Sequence, residues 1–165
     1  MKESIIVEGL DASGKSTLVG KLSEIFDLPI HVAGGPPGGD DAALKCVSDQ
    51  YAAAIDGVIL DRATVISRQC YEDISAKHRK QLNVSLAYLL KRAVVIYCSP
   101  ATFGEHVLKD RDSLEHLEHI EKNAVAIADR YERLMRFIPH ITYDFNSTPI
   151  DDLVEEIMEI RRSSI

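Results

Sequence analysis

Basic side chains are outnumbered: 19 Lys and Arg against 26 Asp and Glu leave a net charge of −7. A surface of that sign disfavours nucleic acid and anionic membranes, so a polyanion must find a local basic pocket. No apolar run approaches the roughly 20 residues of a membrane-spanning helix. Acidic residues near the N-terminus, and the glycine-rich stretch after them, read as no secretory leader. The three cysteines, Cys46, Cys70 and Cys98, are odd in number and form no C-x-x-C. That argues against a disulfide framework and suits a reduced, cytoplasmic setting, with each thiol a small core residue. No repeat or long linker divides the 165 residues, so one domain over 1–165 is expected.

What is present alternates strand and helix. Strands are predicted over Ser4–Glu8, Pro29–Val32, Gly57–Asp61, Ala93–Cys98 and Ile141–Phe145. Helices are predicted over Lys15–Phe26, Asp40–Ile55, Val65–Asp73, Ala76–Arg92, Pro100–Leu108, Leu114–Phe137 and Ile150–Arg161. That order implies an α/β fold in three layers, α/β/α, with a five-stranded parallel sheet. Val58-Ile59-Leu60 and Val94-Val95-Ile96 are continuously apolar, as parallel strands covered on both faces should be. Thr148 and Pro149 read as an N-cap and first helical residue, with Asp151 and Asp152 in the first turn.

The stretch Gly9-Leu10-Asp11-Ala12-Ser13-Gly14-Lys15-Ser16-Thr17 fits G-x-x-x-x-G-K-[ST], the loop that cradles the phosphates of ATP or GTP. It lies between a strand and a helix, as the chemistry requires. Gly9 and Gly14 allow backbone conformations that a Cβ would block. Backbone N–H groups from Asp11, Ala12, Ser13 and Gly14 through Thr17 then converge on phosphate at the positive end of a helix. Lys15 would reach the β- and γ-phosphates, and the Ser16 hydroxyl would ligate Mg²⁺.

A second group follows the third strand, which ends in Asp61-Arg62. Asp61 suits Mg²⁺, directly or through water, and Arg62 suits a phosphate gripped by a bidentate fork. Arg68 and Tyr71 are three apart on the next helix and share a face. Arg68 is a candidate for an acceptor phosphate, and Tyr71 for packing on a base or sugar. The glycine- and proline-rich segment 33–39, with Gly35 and Pro36 at its centre, follows a strand and so lies at the sheet's carboxyl edge, where such folds bind ligands. Lys109-Asp110-Arg111-Asp112 sits between two helices. A lid over about 108–113 is expected there, with Arg111 placing charge on the transferring phosphoryl group.

With these words in place the chain resembles the thymidylate kinase family, P-loop nucleoside monophosphate kinases, and most of all its short bacteriophage members. The resemblance is carried by Ile5-Ile6-Val7-Glu8-Gly9-Leu10-Asp11, Gly14-Lys15-Ser16-Thr17 and Asp61-Arg62. It implies ATP and Mg²⁺ on Lys15 and Ser16, Asp11 on the acceptor's sugar hydroxyl, Asp61 on Mg²⁺ and its waters, and Arg62 on the acceptor phosphate. Where some members carry an arginine after the loop's acid, this chain has Ala12, which by the family's logic gives the catalytic charge to Arg111. The usual Arg-Glu-Pro-Gly-Gly segment is replaced by Gly34-Gly35-Pro36-Pro37, and no base-reading helix matches before Asp61. The resemblance therefore leaves dTMP as the leading acceptor among deoxynucleoside 5′-monophosphates. It also implies a homodimer.

Two competing readings stay open at this point. A deoxynucleoside kinase would use Asp61 as general base toward a 5′-hydroxyl. A nucleotide-binding regulator would transfer nothing to a small molecule, although no guanine-reading Asn-Lys-x-Asp stretch is present.

Overall fold

Five parallel strands lie in the order β2-β3-β1-β4-β5. They are β1 (Ser4–Glu8), β2 (Ile30–Val32), β3 (Ile59–Asp61), β4 (Ala93–Cys98) and β5 (Ile141–Tyr143). Six helices are present among the described residues: α1 (Lys15–Phe26), α2 (Asp40–Asp56), α3 (Thr64–Tyr71), α4 (Ala76–Leu89), α5 (Leu114–Met135) and α6 (Ile150–Ser163). The computed structural model describes residues 2–10, 14–32, 37–98 and 114–163, with the side chains of 114–122 set aside. The expected helix over Pro100–Leu108 and the lid segment lie outside the described residues.

Strand alternation splits the core in two. Ile6, Leu60, Val95 and Tyr97 face α2, α3, α4 and α5, packing on Ala54, Ile66, Leu82, Leu86, Tyr131 and Met135. Ile5, Val7, Ile59, Val94, Ile96 and Cys98 face α1 and α6, packing on Leu18, Leu22, Leu153 and Ile157. β1 and β4 are buried along their whole length, which explains the apolar runs Ile5-Ile6-Val7 and Val94-Val95-Ile96. β2 is an edge strand with Ile30 and Val32 exposed. Cys70 and Cys98 are buried and Cys46 half-buried, all three as thiols. Among the described residues no helix is long and apolar enough to cross a membrane.

Among the differences from expectation, two boundaries and one cap have a clear local reason. β5 stops at Tyr143 rather than Phe145, because Phe145 turns away to pack on Gly14. α4 ends at Leu89 rather than Arg92, where Lys91 and Arg92 close a turn onto the Tyr88 and Leu89 carbonyls. Helix α6 starts at Ile150, and Thr148 does not cap it. The Thr148 hydroxyl instead accepts the Asp144 N–H at 3.1 Å, while Leu153 N–H bonds the Pro149 carbonyl.

The registration of β1 against β3 has a buried polar pin. Ser4 Oγ donates to the Ala54 carbonyl at 2.8 Å and accepts the Val58 N–H at 2.9 Å, tying the end of α2 and the entry to β3 onto β1. We predict that Ser4→Ala, which strands a buried N–H, costs about 1–3 kcal/mol. A lower urea midpoint at unchanged denaturant slope checks this; an unaltered midpoint would show that the pin is redundant.

Candidate active site

β1 and β3 run parallel with Val7 opposite Asp61, so the segments that leave them emerge at the same edge. Gly14 caps α1 at φ 83, in the left-handed region that favours glycine. A Cβ there would also meet Phe145 Cδ2 at 2.8 Å. The Leu18 N–H bonds the Gly14 carbonyl at 3.2 Å, starting the helix. The first turn of α1 holds no acidic residue, so its positive end is not neutralised from within the helix. Ser16 and Thr17 are exposed in that turn, and Lys15 is 8% exposed. Asp11, Ala12 and Ser13 lie outside the described residues, as do Gly35, Pro36 and Arg111.

Lys15 reaches across the sheet edge: its Nζ donates to Asp61 Oδ1 in a close, part-buried ion pair. Arg62 follows at φ 70, a left-handed conformation that costs a non-glycine residue on the order of 1–2 kcal/mol. Its N–H bonds the Val7 carbonyl at 3.0 Å. Its Nη2 donates to the Gly9 carbonyl at 3.3 Å and to Tyr71 Oη at 2.9 Å. The guanidinium carbon lies 4.8 Å from the Tyr71 ring centroid, within cation–π range. Lys15, Asp61, Arg62 and Tyr71 are thus gathered at one edge, beside the end of β1.

Arg68 is set apart from this group. It is 7% exposed, and its bonds run to α2, to α4 and to the end of its own helix. Nε donates to His78 Nε2 at 2.9 Å, Nη1 to Glu72 at 2.5 Å and Nη2 to Asp40 at 3.1 Å. His78 Nε2 is therefore an acceptor, leaving the ring proton on Nδ1, which faces Gln81 Oε1 at 3.2 Å. Arg68 fastens the first residue of α2 to α3 and α4. None of these bonds reaches Lys15, Asp61 or Arg62, because two carboxylates and an imidazole engage the guanidinium first.

Three contributors escaped the sequence reading. Glu8, the last residue of β1, is fully buried. Its Oε1 accepts the Ala63 N–H and its Oε2 accepts the Tyr131 hydroxyl, both at 2.7 Å. Burial pushes its carboxyl up to about 7; those two bonds, then Arg62 and Lys15, pull the other way. The same burial, with Glu8 beside it, raises the Tyr131 phenol well above its usual range. Phe145 is the third. A glutamate following Ile5-Ile6-Val7 just ahead of a glycine was the available signal.

The architecture is that of the P-loop kinase fold. No protein-family model matches the chain, and no curated protein matches it by sequence. Solved structures do. The YorR protein of Bacillus subtilis, in complex with phosphorylated GDP, aligns at TM-score 0.70 and 20% identity over 96% of this chain and 95% of that one. A thymidylate kinase from Ehrlichia chaffeensis aligns at 0.55 and 15% over 98% of each chain. A deoxyadenosine kinase from M. mycoides with bound dCTP aligns at 0.52 and 16% over 97% and 99%. At these identities the likeness is one of fold.

The raised Glu8 pKa carries a pH signature. An unfolded carboxyl titrates near 4.5 and the folded one near 7, so between these values the native state holds more proton than the unfolded state. Glu8 then lowers stability as pH rises from about 4.5 to about 7, and its effect levels off above that. Glu8→Gln, which removes the titration, is expected to gain stability relative to wild type across this window, by roughly 3 kcal/mol at most. Urea midpoints of both proteins at pH 5 and pH 8 test it; a constant difference would exclude the shift.

Proposed function

We propose that the protein transfers the γ-phosphate of ATP to a deoxynucleoside 5′-monophosphate, giving the diphosphate, with dTMP the leading acceptor. The observation that carries this reading is the meeting of Lys15 with Asp61 and Arg62 at the edge where the phosphate-binding loop leaves β1. Two fixed cations at one edge suit a reaction between two phosphate-bearing substrates better than one with a neutral hydroxyl. The fold likeness to kinases of nucleotides and nucleosides supports the same class.

The acceptor oxygen is already anionic, so no strong base is needed, and rate comes from positioning and charge neutralisation. Lys15 would hold the β- and γ-phosphates. Arg62, steadied by the Gly9 carbonyl and by Tyr71, would hold the acceptor phosphate. Asp11 would bond the acceptor's sugar hydroxyl, Gly35 and Pro36 would border it, and Arg111 would bring charge to the transferring group. The Ser16 hydroxyl and the Asp61 carboxylate are hard oxygen donors, the type that Mg²⁺ takes alongside substrate phosphates, and would hold the ion. Mg²⁺, when bound, neutralises charge on the β- and γ-phosphate oxygens.

Two variants separate the roles. Lys15→Ala is expected to lower turnover by on the order of 10² or more, and wild-type turnover in it would remove the donor-site assignment. Arg62→Ala is expected to raise the acceptor KM and lower the rate while leaving ATP affinity near its starting value; a change in ATP affinity alone would contradict its role. The assay is ADP release from Mg·ATP with deoxynucleoside monophosphates and, in parallel, the matching nucleosides. Stimulation by nucleosides alone would overturn the monophosphate reading and make Asp61 a general base.

A further inference from the structure

Arg62 sits in a backbone region that non-glycine residues adopt only at a cost, which its neighbours offset. Both of its ends trace back to one carboxylate. On the backbone side, the Ala63 N–H, next in the chain, is taken by Glu8 Oε1 at 2.7 Å. On the side-chain side, the guanidinium rests on Tyr71. Tyr71 meets the Tyr131 ring edge-on, centroids 6.0 Å apart at 85°. Tyr131 is fixed by its hydroxyl on Glu8 Oε2 at 2.7 Å and by stacking on Tyr97 at 5.6 Å. Glu8 and Tyr131 are both completely buried, so each acts through the groups packed on it.

We infer that Glu8 and Tyr131 are positioning residues for the acceptor, acting through Arg62: the two oxygens of Glu8 hold the backbone turn and the aromatic bed that aim its guanidinium. This rests on the reading of Arg62 as the acceptor-phosphate ligand. It departs from a purely structural account in one respect. A packing role would weaken donor and acceptor binding together, whereas this arrangement acts mainly on the acceptor side: among the described residues Glu8 makes no hydrogen bond to α1, and of the groups acting on its carboxyl Lys15 counts least.

The test compares wild type with Tyr131→Phe, Glu8→Gln, Glu8→Ala, Arg62→Ala and the double variant Tyr131→Phe/Arg62→Ala. Calorimetric titration with dAMP, dCMP, dGMP and dTMP gives acceptor affinity, and steady-state kinetics give separate KM values for acceptor and Mg·ATP. Tyr131→Phe keeps the ring and its packing, so it is the variant that must fold. It is expected to weaken the best acceptor by about five- to tenfold, with the ATP KM changed less than about twofold and the acceptor effect absent from the Arg62→Ala background. Glu8→Gln, which still offers an oxygen to the Ala63 N–H, should retain more acceptor affinity than Glu8→Ala. Equal loss of donor and acceptor affinity in Tyr131→Phe, or an undiminished loss in the double variant, would overturn the inference. If Arg62→Ala itself leaves acceptor affinity unchanged, the ligand role of Arg62 fails instead, and the inference falls with it by a distinguishable route.

Discussion

Everything at the candidate site depends on the parallel pairing of β1 with β3, with Val7 opposite Asp61. A parallel pair releases both chains at the same edge, whatever their separation in sequence. The glycine-rich loop therefore leaves β1 beside the Asp61-Arg62 turn that leaves β3, and Lys15 can bond a residue 46 positions away. A slip of one residue would turn Asp61 to the other face of the sheet. It would also move Glu8 away from the Ala63 N–H. The Ser4 hydrogen bonds at the opposite end of β1 thus protect a geometry assembled at its far end.

The electrostatics of that edge balance before any phosphate arrives. Asp61 pairs with Lys15, while the buried Glu8 carboxyl feels both Arg62 and Lys15. Partly buried cations cost several kcal/mol without partners, and these carboxylates and carbonyls offset that cost while fixing where the cations point. Pre-set cations need little reorganisation when charge develops on a transferring phosphoryl group. The exposed first turn of α1 supplies backbone dipoles in the same direction. Arg68 belongs to a different arrangement, a clamp of α2, α3 and α4 in which Asp40 is the residue nearest the glycine- and proline-rich segment.

What sequence could show here was what depends on local pattern. Continuous apolar runs marked β3 and β4, and the glycine-lysine motif marked the junction of β1 with α1. Asp61 and Arg62 were legible because they end a strand. The interactions that escaped are those made across the fold. Nothing local shows that Glu8 is met by Tyr131, 123 residues on, or that Arg68 is taken by Asp40, Glu72 and His78. Helical spacing of Arg68 and Tyr71 gave them a common face, but side-chain reach and competing carboxylates sent them to different neighbours. Thr148 misled for a similar reason: a hydroxyl that can cap a helix can equally close a turn onto Asp144. Phe145 was read as the last residue of a strand, yet the bare Gly14 backbone offers it a surface to cover.

The most direct measurement follows the phosphorus itself. ATP labelled at the γ-phosphate is incubated with Mg²⁺, the protein and each deoxynucleoside monophosphate, and the products are separated. The account requires the label to appear in the terminal phosphate of a deoxynucleoside diphosphate, and to be lost when Lys15 is replaced by alanine. Label found only in free phosphate, or on the 5′-oxygen of an added nucleoside, would contradict it.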